Sequence, residues 1–165
     1  MKCLCFSDSH GSALNIRRAI NMHPDAEIAF FLGDGLDDLE PFLKDSSRAF
    51  LAVRGNCDRS AVLGDTMVKK TDKITLENRR IVFTHGDLYG AKYGLDGLMA
   101  LATESGADLL LFGHTHQPFE KYIPTDNGGY YLFNPGSIGG GFGSKPTYGV
   151  INISESGILL SHGIL

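Results

Sequence analysis

Tryptophan is absent from this chain of 165 residues, and cysteine occurs three times, at Cys3, Cys5 and Cys57. An odd count cannot pair completely, and Cys3 and Cys5 share one apolar run, so reduced thiols in a cytoplasmic protein are expected. No apolar run approaches the ~18 residues of a membrane span. The first run turns polar at Ser7-Asp8, short of the ~7 or more apolar residues of a signal peptide. Positive charge is also lacking: 15 Lys and Arg face 19 Asp and Glu, a formal charge of −4. This excludes the basic footprint of a protein that binds nucleic acid generally. Repeats, charge blocks and Pro/Ser linkers are missing too, so residues 1–165 are expected to form one domain, at a length typical of one. Glycine alone is in excess, 21 of 165 residues, nearly twice the average of about 7%. Without a collagen period, that means many tight loops.

Up to residue 117, apolar runs at 2–6, 27–32, 49–53, 80–83 and 108–112 are too short for helices and predict buried strands. Ser12 is expected to cap a helix to about His23, with Leu14, Ile16, Ala19 and Ile20 on or near one face. Leu95, Leu98, Met99 and Ala102 recur at helical spacing and predict a helix ending before Gly106. Leu39, Phe42 and Leu43 suggest a shorter helix with Pro41 in its first turn. Strands alternating with helices imply parallel pairing. After Pro118 the pattern changes to strands at 120–123, 130–133, 147–153 and 157–162, with turns such as Asp126-Asn127-Gly128-Gly129. A hairpin over 73–84 turns at Glu77-Asn78. These elements predict an α/β protein with two sheets packed face to face and helices outside.

The chemistry sits at the carboxyl ends of the early strands. The five runs lead into Asp8-Ser9-His10, Gly33-Asp34, Gly55-Asn56-Cys57-Asp58, His85-Gly86 and Gly113-His114-Thr115-His116. Ligands of open α/β sheets bind outside those ends, so Asp8, His10, Asp34, Asn56, His85, His114 and His116 are expected around one point. Singly, each has an ordinary reading: an Asp caps a helix, an Asn forms a turn, a His is a satisfied core imidazole. His114 and His116, two apart in an extended segment, point the same way. Together, four of the six histidines at strand ends make a metal site. His23 and His162 lack such surroundings and read as solvated or strand-edge residues.

Four imidazoles, two carboxylates and one amide form a mixed N/O set without thiolate, suited to Mn²⁺, Fe²⁺ or Zn²⁺ and unlike a Ca²⁺ or Cys-zinc site. Seven ligands exceed what one ion takes while leaving room for substrate, so two ions sharing a carboxylate are the economical reading. Such pairs serve in-line displacement at phosphorus. Two divalent ions against Asp8 and Asp34 leave a local charge of about +2, which draws an anion.

In order, these motifs resemble those of the calcineurin-like metallophosphoesterase superfamily: D-x-H, G-D, G-N-[HC]-[DE], H-G and G-H-[TS]-H. Gly55-Asn56-Cys57-Asp58, the short length and the late Asn134-Pro135-Gly136-Ser137 are similar to its small YfcE-type phosphodiesterase branch. The resemblance implies a four-layer α/β/β/α sandwich of two mixed β-sheets flanked by helices. It implies one metal on Asp8, His10 and His116, a second on Asn56, His85 and His114, and Asp34 bridging them. Two divalent ions are implied, Mn first, with Fe, Zn, Ni or Mg as alternatives, and a hydroxide between them as the nucleophile hydrolysing a small phosphodiester. No side chain is assigned as the nucleophile. Asp58 either orients a neighbouring ligand or caps a helix after the loop. Cys57 stands where many members carry a His that contacts phosphate and protonates the leaving group; it reads as partly buried and near substrate. A homodimer or homotetramer is implied, with neither membrane nor long nucleic acid as partner. The rival readings are a phosphomonoesterase or nucleotidase at the same metals, and a protein-binding scaffold like the retromer subunit whose metal site is degraded. All seven ligand positions are filled here, which argues against the scaffold. The run 139–143, Gly-Gly-Gly-Phe-Gly, is a candidate lid.

Overall fold

The first strand shows how the layers form. In β1 (Lys2–Phe6), alternate side chains face opposite ways. Cys3 and Cys5 enter one apolar cluster while Leu4 and Phe6 enter another. The sheet is therefore covered on both faces. The computed structural model describes residues 1–44, 47–126, 128–141 and 143–165. Its further strands are β2 (Ile28–Phe31), β3 (Ala49–Ala52), β4 (Val62–Leu63), β5 (Thr66–Met67), β6 (Thr71–Leu76) and β7 (Arg79–Thr84). They continue with β8 (Leu109–Leu111), β9 (Pro118–Thr125), β10 (Gly128–Pro135), β11 (Thr147–Ser154) and β12 (Gly157–Ile164). The helices are α1 (Ala13–Met22) and α2 (Asp96–Ser105), with 3-10 turns at Leu36–Phe42 and Asp87–Tyr89.

Two five-stranded mixed sheets result, ordered β12-β11-β1-β2-β3 and β6-β7-β8-β10-β9. Strands β1, β2 and β3 run parallel in the first; β7, β8 and β10 run parallel in the second. Buried on both faces, β2 (IAFF) and β8 (LLL) are uninterrupted apolar runs, as central parallel strands require. Cys3, Cys5, Phe30, Phe83, Leu109 and Phe133 lie in the cluster between the sheets. Ile16 and Ala19 of α1 pack on the outer face of the first sheet, beside Leu36 and Leu39. Leu98 and Ala102 of α2 cover the second. This is the α/β/β/α sandwich expected.

Local details differ from the pattern in the sequence. Ser12 occupies the position before α1 but makes no side-chain capping bond, and Leu14 is exposed. The segment around Pro41 is a 3-10 turn that starts at Leu36, so Pro41 lies near its end and not in its first turn. The two-residue strands β4 and β5 have no counterpart among the expected elements. Asn127 of the expected β9–β10 turn lies outside the described residues.

Candidate metal centre

The carboxyl ends of β1, β2, β3, β7 and β8 all carry candidate ligands, and their backbone there is unusual. Asp8 (φ 55°), His10 (45°), Asp34 (59°), His114 (67°) and His116 (62°) adopt left-handed conformations. Among the described residues, the other non-glycine cases are Glu77 and Asn78, in the β6–β7 turn. Each such position costs about 1 kcal/mol or more, so it persists only where neighbours hold it. The holders are identifiable. Asp38 accepts hydrogen bonds from Ser9 Oγ (2.5 Å) and the Gly11 amide (2.8 Å), fixing the loop that carries His10. Asp58 accepts from the amides of Asp34, Gly35, Leu36 and Gly55 at 2.7–2.9 Å, stapling the Asp34 loop to the one after β3. Asn134 donates to the Gly113 carbonyl (2.8 Å) and to Thr115 Oγ1 (3.1 Å), bracing the loop of His114 and His116. Ser137 Oγ donates to the Asp8 carbonyl (2.8 Å). Gly55 must be glycine, because a Cβ there would meet the Asp34 amide at 2.7 Å and strike its carboxylate.

These loops bring together two clusters of donor atoms. Asp8, His10 and His116 form one, Asp34, His85 and His114 the other, with the atoms of each within 4.8 Å of one another. In the first, Asp8 Oδ1 lies 3.2 Å from His116 Nε2 and 3.9 Å from His10 Nε2. In the second, Asp34 Oδ2 lies 3.4 Å from His85 Nε2, which is 3.1 Å from His114 Nδ1. His85 is fully buried and its Nδ1–H donates to the Leu32 carbonyl at 2.8 Å, leaving the Nε2 lone pair turned to the cluster.

Both clusters fit a cation. Asp8 is fully buried; its Oδ2 accepts from Ser7 Oγ (2.5 Å) and the His114 amide (3.0 Å), but its Oδ1 makes no well-formed hydrogen bond. An unsatisfied carboxylate oxygen facing imidazole nitrogens has the chemistry of a metal ligand. Charge in the second cluster is tightly coupled. Burial opposes the ionised Asp34 carboxylate, yet the His85 imidazole and the Cys57 amide (2.7 Å) hold it well below the usual carboxylate range. Burial lowers the His85 pKa, but Asp34, Asp8 and the Leu32 carbonyl together set it above its ordinary value. Burial and the charges of His85 and Lys92 lower His114, whereas the neighbouring Asp8 carboxylate raises His116.

A family model described as the calcineurin-like phosphoesterase superfamily domain matches residues 1–156. The chain belongs to that superfamily. Among curated relatives, this phosphoesterase is 33% identical to the probable metallophosphoesterase YsnB of Bacillus subtilis, covering 84% of this chain and 75% of that one. It is 29% identical to the phosphodiesterase YfcE of Escherichia coli, over 92% of this chain and 88% of the other. The crystal structure of E. coli YfcE, described as a phosphoesterase, superposes with a TM-score of 0.63 at 27% identity over the same shares. Vps29 of Entamoeba histolytica complexed with zinc has the same fold, with a TM-score of 0.74 over 99% of both chains at 19% identity. The YfcE-type branch is thus the right neighbourhood.

The remaining motif residues of this phosphoesterase lie at the rim. Asn56 is exposed, and its amide donates to Cys57 Sγ at 3.2 Å. Cys57 is exposed, not partly buried, and lines a cleft of about 280 Å³ with His10, Asp34, Asp58 and Arg59. Desolvation and the Asp34 carboxylate push its thiol pKa up. Among the described residues no helix follows Asp58, which instead ties the Gly55 amide of its own loop to the Asp34 loop. His23 and His162 stay outside the site, but they are packed and not merely solvated. His23 Nε2 lies 3.0 Å from Tyr148 Oη, and the His162 ring stacks on Phe133 at 4.6 Å. In the 139–143 run, Gly139 is seated on the Asp8–Ser9 backbone, where a Cβ would come within 2.6 Å of the Ser9 carbonyl, and Phe142 lies outside the described residues. Residue patterns alone give Asp38, Asn134 and Ser137 no bracing role, although the Asn-Pro-Gly-Ser run marks the last two.

Proposed function

We propose that this phosphoesterase is a phosphodiesterase acting at two divalent ions, one held by Asp8, His10 and His116 and the other by Asn56, His85 and His114, with Asp34 between them. The observation that carries the reading is the pair of adjoining N/O clusters, one containing a buried carboxylate oxygen without a hydrogen bond. Bound divalent ions supply Lewis-acid charge for the phosphoryl oxygens and lower the pKa of a water. The chain's own part is positioning. Leu32 fixes the tautomer of His85, Asp58 and Asp38 hold the carboxylate and imidazole loops, and the exposed Cys57 thiol faces the cleft where an ester group would leave. A relative named as a phosphodiesterase and a fold neighbour crystallised with zinc support this reading.

The test compares bis(p-nitrophenyl) phosphate with p-nitrophenyl phosphate, on protein stripped by chelator and then supplied with Mn²⁺, Fe²⁺, Zn²⁺ or Mg²⁺. Diester turnover is expected to vanish on stripping and to return best with Mn²⁺. Turnover that persists after exhaustive stripping overturns the metal assignment. Preference for the monoester replaces the diesterase with a phosphomonoesterase.

A further inference from the structure

A second cleft opens at Thr115, the residue between the His114 and His116 imidazoles, and nothing in the proposed chemistry uses it. Its volume is about 350 Å³, and Ala91, Leu95, Phe112 and Phe119 line it, with Lys92 and Thr115 among its polar groups. Phe112 is buried and Phe119 half-buried, with ring centroids 6.0 Å apart and planes at 62°, so the aromatic wall is a fixed edge-to-face pair. Lys92 is exposed, and its charge is felt at both His114 and His116. An anionic centre at those imidazoles would therefore have an ammonium beside it and an apolar, ring-lined recess adjoining it.

We infer that this cleft receives one organic arm of the diester, and that the arm is a flat aryl or heteroaryl group. The inference rests on the phosphodiesterase reading for the identity of its ligand. The volume lies at the low end of the ~300–1,000 Å³ typical of organic-ligand pockets, which suits one or two rings and no polymer. Aromatic walls reward an inserted ring by offset or edge contacts that an alkyl group does not make. Lys92 contributes charge complementarity to the phosphoryl group instead of to the arm.

The experiment uses the Mn²⁺-loaded full chain and two diester mimics whose P–C bond resists hydrolysis, the monomethyl esters of phenylphosphonate and methylphosphonate. Both are monoanions, and they differ only in the arm. Calorimetric titration is expected to show the phenyl compound binding roughly tenfold tighter. Phe119→Ala and Leu95→Ser should each bring that ratio towards one, and Leu159→Ser, at an exposed position of β12, should leave it unchanged. If Phe119→Ala fails to fold, Leu95→Ser decides. Equal affinities in the unmodified protein, or a preference untouched by the cleft variants, overturn the inference. Turnover of bis(p-nitrophenyl) phosphate is scored separately. A phenyl preference without turnover supports the cleft while overturning the phosphodiesterase reading.

Discussion

Four backbone amides converge on the single carboxylate of Asp58, three from residues 34–36 and one from Gly55, in the loops after two different strands. Asp58→Ala leaves four donors without that acceptor, and a loss on the order of 3 kcal/mol is expected in urea unfolding. Asp58→Asn, with one acceptor oxygen, should recover part of it; a midpoint unchanged in both variants would remove the stapling role. Cys57 makes a different prediction. Its thiol, raised in pKa, stays protonated and is a weak donor, so it gives a leaving group little help. Rates across aryl diesters should fall steeply as leaving-group pKa rises, and Cys57→His should flatten the slope; general acids are typically worth ~10²–10⁴ in rate. A flat slope in the unmodified protein, with chemistry rate-limiting, would show that another group already delivers the proton. At this scale the chain is readable wherever ligand types sit directly at strand ends. Asp38 is not, because its partners Ser9 and Gly11 lie 29 and 27 positions away and no local spacing marks them.

Helix α2 ends where its composition says it should. Gly106 takes the left-handed conformation (φ 61°), its amide reaches the Thr103 carbonyl, and the Ala107 amide reaches that of Ala102. An alanine there meets the strain of that region and places its Cβ 2.6 Å from Arg80 Nη1, which itself bonds the Ser105 carbonyl at 2.8 Å. Gly106→Ala should cost about 1–2 kcal/mol by denaturant titration, and Gly106→Asn less, since Asn tolerates the conformation. Equal stability of all three would show that the cap is not strained. Other element boundaries are harder to foresee. Ser12 has the right residue type for a cap but the wrong local geometry, and β4 and β5 are each two residues long, below any periodic signal. The uninterrupted apolar runs of β1, β2 and β8 are plain because both faces of each strand are buried.

Among the described residues the two sheets share no hydrogen-bonded strands, and each donor cluster draws from both. Asp8 and His10 follow β1 and Asp34 follows β2, whereas His85, His114 and His116 follow β7 and β8. Hydrogen bonds already cross that edge, among them those from the His114 amide to Asp8, from His85 to the Leu32 carbonyl and from Ser137 to the Asp8 carbonyl. An ion bound at either cluster would therefore stabilise the whole sandwich. At a concentration of Mn²⁺ a hundred times its Kd, one site contributes about 2.7 kcal/mol, a rise in Tm of about 5–10 °C for a chain of this size. Asp34→Asn should abolish most of the rise, and no shift in the unmodified protein would argue against ion binding. In mechanical terms the molecule is two plates glued along their length by an apolar layer and clasped at one rim. Opening the clasp frees only that rim: after chelation, amide protons of the 33–35 and 113–116 loops should exchange faster, while those paired between β11 and β12 keep their rates. On the proposed reading, a bound ion would set the width of the gap that admits substrate.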